Sequence, residues 1–377
     1  MRIMLLHQNL SFGGAEMLVI EIAVGLKKRG HDVMVVTFYD NNPLGVRLTE
    51  AGVALECLYK QGRWDVLVFM WRFLNAVRRF RPDVIYTLMP IPNLVALVGR
   101  LAKPGLKLIG GVSIARLDLR PFDRVTRVSY WLEARLTRFT DLVIANSRAG
   151  FDDAISRGFS QTVMRMVPTG VDTVRYCPDP AARRRLRSEW GVADGDRLIG
   201  LIGRLDPQKD IPTFLAAAAK LASSMDRLRF VVVGDGPTAY RASLVAQCEQ
   251  LGISARTLWV PVRADIEAVY NALDLMVVSA VADGLSIALV QALACGTSAV
   301  VTEAGDNGSA IGAWGQLVPP RDPAALADAV KLQLQRLVAD GDAIAAGCRR
   351  HILKNFSVET MVSNTEALMF SLSAPSR

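Results

Sequence analysis

Between Ser279 and Gly296 the chain reads SAVADGLSIALVQALACG. Asp283 and Gly284 stand where a buried apolar run gives way to an apolar helical one, and the polar Gln291 falls eight positions after Asp283. A strand, a glycine-bearing loop and a helix N-terminus together make an anion site, because unpaired backbone N–H groups and the positive dipole end point the same way. Asp283 and Gln291 would then lie on either side of the anion. The competing reading is a plain helix start with one buried polar residue. A second cluster lies at Gly203–Asp210, GRLDPQKD. Arg204 and Lys209 are two cations across a proline-containing turn after a strand. Both can reach one diphosphate, Arg204 through paired N–H groups and Lys209 as a point charge. A solvated loop would use the same residues.

Glycines mark the other places where backbone can approach a ligand. Gly13 and Gly14 sit in SFGGAE after the first strand, and Gly234 and Gly236 in VVVGDGP, where Asp235 reads as a turn former. Three histidines (His7, His31, His351) suggest no triad and no metal site, and His7 reads as packed at the end of strand one. The strings Asp194-Gly-Asp196 and Asp340-Gly-Asp342 read as polar turns, so no metal and no resident cofactor are expected. Five scattered cysteines without C-x-x-C argue against a disulfide frame or a zinc site and fit a reducing cytoplasm.

These residues must be held by sheets. Short apolar runs at 3–6, 32–38, 84–87, 108–111 and 142–145 alternate with helical segments, and the pattern restarts at 198–203, 230–234, 258–260, 275–279 and 298–302. Near-continuous apolar strands between helices imply parallel sheets covered on both faces. The expected fold is α/β, two Rossmann-like doubly wound domains facing across a cleft, with a C-terminal helix closing the chain. The expected boundaries are 1–175, 176–355 and 356–377, with a charged helix near RRRLRSEWG joining the two halves and a long helix at 323–339. A length of 377 residues suits two such domains. No apolar run approaches the roughly 18 residues a membrane helix needs, and the N-terminus reads as a strand, not a signal peptide.

The net charge is +8, and Lys60 to Arg138 holds 15 Lys/Arg against 5 Asp/Glu. Trp64, Phe69, Trp71, Phe73, Tyr130, Trp131 and Phe139 are interleaved with these cations. The mix suits either a solvated basic face or a surface against anionic lipid headgroups. No motif supports nucleic acid as a partner. The expected location is cytoplasmic, peripheral on the inner membrane face.

The ordered motifs resemble the retaining nucleotide-sugar glycosyltransferases of family 4, with the GT-B fold. They are Gly-Gly-x-Glu at 13–16, Ala-Asn-Ser at 145–147, PTGVD at 168–172, Gly-Arg-Leu…Lys at 203–209, Val-Gly-Asp-Gly-Pro at 233–237, Asp-Gly…Gln at 283–291 and LVPPRDPAALA from Leu317. They cover nearly the whole chain. The resemblance places donor phosphates against Gly13, Gly14, Gly203, Arg204, Lys209 and Gly234, and against the N–H groups of Ser286, Ile287 and Ala288. Gly284 and Leu285 complete the donor loop, and Val262 and Arg263 lie where the family holds the nucleobase. Asp283 would take the sugar hydroxyls and Gln291 the ribose. This sequence departs from the pattern at five places. Asp283 and Gln291 replace two glutamates, Asp210 replaces a glycine, Ser309 replaces a glutamate, and no histidine occurs in GGVSIARLD, where Ser113 or Arg116 would line the acceptor space with Asn146.

The resemblance implies a metal-independent hexosyl- or N-acetylhexosaminyltransferase using a UDP- or GDP-linked sugar. The acceptor would be a saccharide or polyprenyl-linked saccharide in polysaccharide or glycoconjugate biosynthesis. The losses at 283, 291 and 309 keep a second reading open, a GT-B protein that binds nucleotide or a partner without turnover. A nucleotide-sugar epimerase would need an acid/base set that three histidines do not suggest. A nicotinamide dehydrogenase would need G-x-G-x-x-G after the first strand, which is not there.

Overall fold

The computed structural model describes residues 1–11, 14–62, 65–112 and 124–373. It divides into two compact units, Met1–Gly170 with Val358–Arg377, and Val171–Ser357. The first unit holds β1 (Arg2–His7), β2 (Asp32–Thr37), β3 (Ala54–Cys57), β4 (Val84–Thr87), β5 (Lys107–Val112), β6 (Leu142–Ala145) and β7 (Met164–Met166). They form one parallel sheet in the order β3-β2-β1-β4-β5-β6-β7. β1 is buried along all but its first residue, which is why its sequence is a continuous apolar run and not an alternating one. The helices are α1 (Gly14–Lys28), α2 (Val46–Glu50), α3 (Val66–Phe80), α4 (Pro90–Val98), α5 (Arg124–Leu136) and α6 (Arg148–Ser156). Ser147 starts α6 by accepting the Gly150 N–H at 3.0 Å.

The second unit repeats the plan with β8 (Arg197–Ile202), β9 (Leu228–Val233), β10 (Thr257–Val260), β11 (Leu275–Val278), β12 (Ala299–Thr302) and β13 (Gln316–Val318). Their parallel order is β10-β9-β8-β11-β12-β13. The helices are α7 (Pro180–Glu189), α8 (Ile211–Ala222), α9 (Thr238–Gln250), α10 (Ile266–Ala272), α11 (Ile287–Ala294), α12 (Asn307–Ile311) and α13 (Pro323–Asn355). Asp179 and Asp322 cap α7 and α13 in the same way. Each accepts two N–H groups beyond a proline at the first helical position. Apolar side chains fill the space on both faces of this sheet.

Some expectations need correction. The short strands β3, β7 and β13 were not foreseen, because ALEC, MRM and QLV carry too little apolar sequence. The helix expected at 323–339 continues to Asn355 and kinks at Asp340, so the second Asp-Gly-Asp string bends a helix and does not end one. The C-terminal helix expected to close the chain is α14 (Val358–Ser373), which groups with the first unit. It packs on α1, where Gly25 has no side chain to obstruct Val362, and Glu366 binds Arg29 at 2.9 Å and His31 at 2.7 Å.

Candidate functional site

In the second unit the strand order reverses between β8 and β11, and open α/β sheets bind ligands outside the carboxyl ends of strands at such a point. The loops that leave β8 and β11 carry the residues singled out in the sequence. Gly203 follows β8, and its N–H donates to the Val233 carbonyl at 3.0 Å. Gly234 follows β9 with φ +148°, and a Cβ there would run into the Gly203 carbonyl oxygen. The two loops therefore touch backbone to backbone. Asp235 accepts the Leu205 N–H on its carbonyl and the Val262 N–H on its carboxylate, so it ties three loops together.

Beyond Gly203 a short turn, Pro207–Lys209, is capped by Asp206, which accepts the Gln208 N–H at 2.9 Å. The Lys209 carbonyl accepts the Ser279 hydroxyl at 2.8 Å, and the Gln208 carbonyl accepts the Val281 N–H at 2.9 Å. These bonds fix the β8 loop to the β11 loop. In consequence Lys209 Nζ donates to Asp283 Oδ2 at 2.7 Å, while Asp283 Oδ1 accepts the Gly284 N–H at 3.0 Å. Both side chains are half-buried. An ammonium has three N–H groups and this one uses a single one on Asp283, so it can hold a second anion at the same time. Arg204 differs: it is 74% exposed and is held only through Nε, which donates to Asp206 at 2.7 Å. Asp210, the residue in place of glycine, adopts the left-handed conformation (φ +45°), and its carboxylate accepts the Thr213 hydroxyl at 2.7 Å.

At the start of α11 the Ser286 hydroxyl makes no capping bond. The Ser286 N–H is taken by Asn307 Oδ1 at 3.1 Å. Of the three N–H groups assigned to a phosphate from sequence, Ser286 already has a protein partner. Ile287 and Ala288, in the first turn, have no intrahelical acceptor. Leu285 and Ile287 pack their half-buried side chains on the core of the unit. Gly305 (φ +59°) backs onto the carbonyls of Asp283 and Gly284, and the Asp306 N–H donates to Gly284 O at 2.6 Å. Gln291 receives the Tyr270 hydroxyl on Oε1 at 2.7 Å. Burial raises the Tyr270 pKa well above its ordinary value, so that hydroxyl keeps its proton. Ser309 turns its hydroxyl onto the Asp306 carbonyl at 2.8 Å. Asn307 and Tyr270 were missed from sequence, since nothing local marks a side chain that acts on a residue 21 positions away.

In the first unit Gly14 opens α1, and Asn146 sits half-buried at the carboxyl end of β6 with its carbonyl on the Thr169 N–H. Gly13, Ser113 and Arg116 lie outside the described residues. His7 is buried, as expected. Its Nδ1–H donates to Asn9 O at 2.7 Å, Nε2 has no partner, and burial lowers its pKa. The basic face is smaller than the sequence suggested. Phe69, Phe73 and Tyr130 are in the core, because the helical period turns them inward, and Trp64 lies outside the described residues. Leu67, Val68 and Trp71 on α3, and Val128, Trp131 and Phe139 on and after α5, are exposed. Arg135 stacks on Trp131 and Arg138 on Phe139. Among the described residues no helix is long and apolar enough to cross a membrane.

Residues 12–175 match the family model described as Glycosyltransferase Family 4, and residues 196–336 match the model described as Glycosyl transferases group 1. Between them these matches take in most of the sequence. The chain belongs to the family 4 glycosyltransferases. Among curated relatives, this family 4 chain is 32% identical to D-inositol 3-phosphate glycosyltransferase of Corynebacterium jeikeium, over 56% of this chain and 52% of that protein. It is 28% identical to a GDP-mannose-dependent alpha-mannosyltransferase of Mycobacterium tuberculosis, over 58% of each. It is 33% identical to 2-deoxystreptamine glucosyltransferase of Streptomyces kanamyceticus, over 42% of this chain and 40% of that one. The chain thus spans about half the length of the curated relatives it matches. Among solved structures, Anabaena HepE in complex with UDP superimposes with a TM-score of 0.85 at 22% identity, covering 98% of this chain and 100% of that one. A glycosyltransferase from Rickettsia africae gives 0.85 at 15% identity, covering 99% of each. At these identities the likeness shows the fold, two Rossmann-like domains of the GT-B type.

Proposed function

We propose that this family 4 chain transfers a hexosyl or N-acetylhexosaminyl group, with retention and without a metal, from a UDP- or GDP-linked sugar to a saccharide or polyprenyl-linked acceptor in polysaccharide or glycoconjugate assembly. The observation that carries this reading is the Lys209–Asp283 pair, 2.7 Å apart, in the loops beside the uncapped start of α11. Lys209 and Arg204 would neutralise charge on the departing diphosphate, and the N–H groups of Ile287 and Ala288 would bind its oxygens. Asp283 would orient the sugar while still bound to Lys209. The acceptor oxygen would attack from the face the phosphate leaves, and a phosphate oxygen would take its proton, so that no protein nucleophile is needed. The neighbours' printed names fit this class: one was solved with UDP-glucose, and one relative uses GDP-mannose. Arg135, Arg138 and the exposed Trp71, Trp131 and Phe139 support an acceptor at the inner membrane face, with the protein cytoplasmic and peripheral.

A second reading, nucleotide binding without turnover, is favoured by one feature: the Gln291 amide oxygen is engaged by Tyr270 and carries no charge. Titration calorimetry with UDP, GDP and their sugars, followed by diphosphate release assays with and without saccharide acceptors, separates the two. Turnover of one sugar nucleotide that persists in EDTA supports the transferase. Binding without diphosphate release supports the second reading, and no binding at millimolar nucleotide rejects both.

A further inference from the structure

Asn307 is fully buried at the first position of α12, and its Nδ2 has no hydrogen-bond partner. A buried amide donor left unmade costs about 1–3 kcal/mol, so a retained one calls for an explanation. The same amide's oxygen accepts the Ser286 N–H at 3.1 Å, at the N-cap of α11. The orphan nitrogen shares its carbon with that oxygen, so it sits at the mouth of the uncapped helix. The preceding residue ties the site together, since the Asp306 N–H holds the Gly284 carbonyl at 2.6 Å, next to the Asp283 that binds Lys209. Around this point Lys209, the first-turn N–H groups and Asn307 Nδ2 are donors with capacity left.

We infer that Asn307 is a phosphate-binding residue, whose Nδ2 donates to a non-bridging oxygen of the bound nucleoside diphosphate while Oδ1 keeps the start of α11 in place. The inference rests on the nucleotide-sugar reading above. Asn307 Nδ2 is buried beside the Ser286 N–H that its Oδ1 accepts, and the loop leading to Ser286 is fastened by the Lys209–Asp283 pair. Binding shifts the Ser286 segment enough to admit a phosphate oxygen to the amide, with Lys209 still holding Asp283.

The test is Asn307→Asp, which keeps the acceptor for Ser286 and removes the donor. UDP and GDP are titrated calorimetrically against wild type and variant from pH 5.5 to pH 8, with uridine and guanosine as phosphate-free controls. At pH 8 the variant is expected to bind the preferred diphosphate about ten- to a hundredfold more weakly, the loss of a hydrogen bond to a charged group, with nucleoside binding unchanged. As pH falls, the carboxyl gains a proton and becomes a donor again, so the ratio of variant to wild-type affinity should recover. A merely displaced helix would give no such recovery. Variant and wild type binding within twofold at pH 8, or a deficit that is flat with pH, overturns the role of Asn307. Wild type that binds neither diphosphate fails the nucleotide-sugar reading itself.

Discussion

Glu133 on α5 gives a quantitative test of the first unit. It is 3% exposed, Asn93 Nδ2 donates to its Oε1 at 2.5 Å, and Arg157 Nη1 lies 3.6 Å from Oε2. Burial, the largest influence, pushes its pKa up from 4.5 to about 7 against the pull of Asn93 and Arg157. The folded protein therefore holds a proton on Glu133 across a window in which the unfolded chain has lost it. Stability from this group is present below about pH 4.5 and is lost as pH rises to about 7. At about 1.4 kcal/mol per pKa unit, the cost above pH 7 is about 3 kcal/mol. Glu133→Gln keeps an acceptor for Asn93 and carries no charge, and Arg157 keeps Asp153 at 3.0 Å. The variant should melt with wild type at pH 5 and roughly 6–12 °C above it at pH 8, at 2–4 °C per kcal/mol for a unit of this size. His7 titrates in the same range with the opposite sign, because its lowered pKa makes stability rise with pH toward 6.5. It is common to both proteins and cancels in the difference. Differential scanning calorimetry at constant ionic strength reads the result. Melting profiles that run parallel from pH 5 to pH 8 would refute the argument.

Other substitutions probe the second unit. Lys209→Ala removes the cation bound to Asp283 and should cut kcat/KM for diphosphate release by on the order of 10²–10³; Arg204, at 74% exposure, should matter less, and equal losses would contradict the geometry. Asp210→Gly relieves a left-handed aspartate, a gain of about 1 kcal/mol, and loses the Thr213 bond, a similar cost. The urea midpoint should stay where it is, and a large shift either way would show that one of these two effects is misjudged. Gln291→Glu restores a charge beside the Tyr270 hydroxyl and should tighten nucleotide binding about fivefold, from the difference between charged and neutral hydrogen bonds. Weaker binding by calorimetry would show that no nucleotide hydroxyl meets this position.

Much of the scaffold was legible because parallel sheets bury both faces of most strands, which leaves unbroken apolar runs such as IMLL in β1 and LMVV in β11. The half-buried ALEC and the three-residue QLV and MRM carry no such run and were invisible. The basic face was misread for a physical reason. Composition counts Phe69 and Phe73 with Trp71, whereas a helix turns the first two inward and the third to solvent. In the candidate site the chemistry-bearing residues were legible because each stands beside a glycine or proline turn. Their hydrogen-bond state was not. Sequence gives Ser286 a phosphate that Asn307 excludes from its N–H, and gives Gln291 an oxygen that Tyr270 already engages. Long-range pairing of this kind decides the sign of a site. Asp283 is committed to Lys209 and Gly284, and Asp206 to Arg204 and Gln208. Donor capacity remains in Lys209, the Arg204 terminal nitrogens, the first N–H groups of α11 and Asn307 Nδ2. A ligand that meets these donors together must bring acceptors to them, as the oxygens of a diphosphate do.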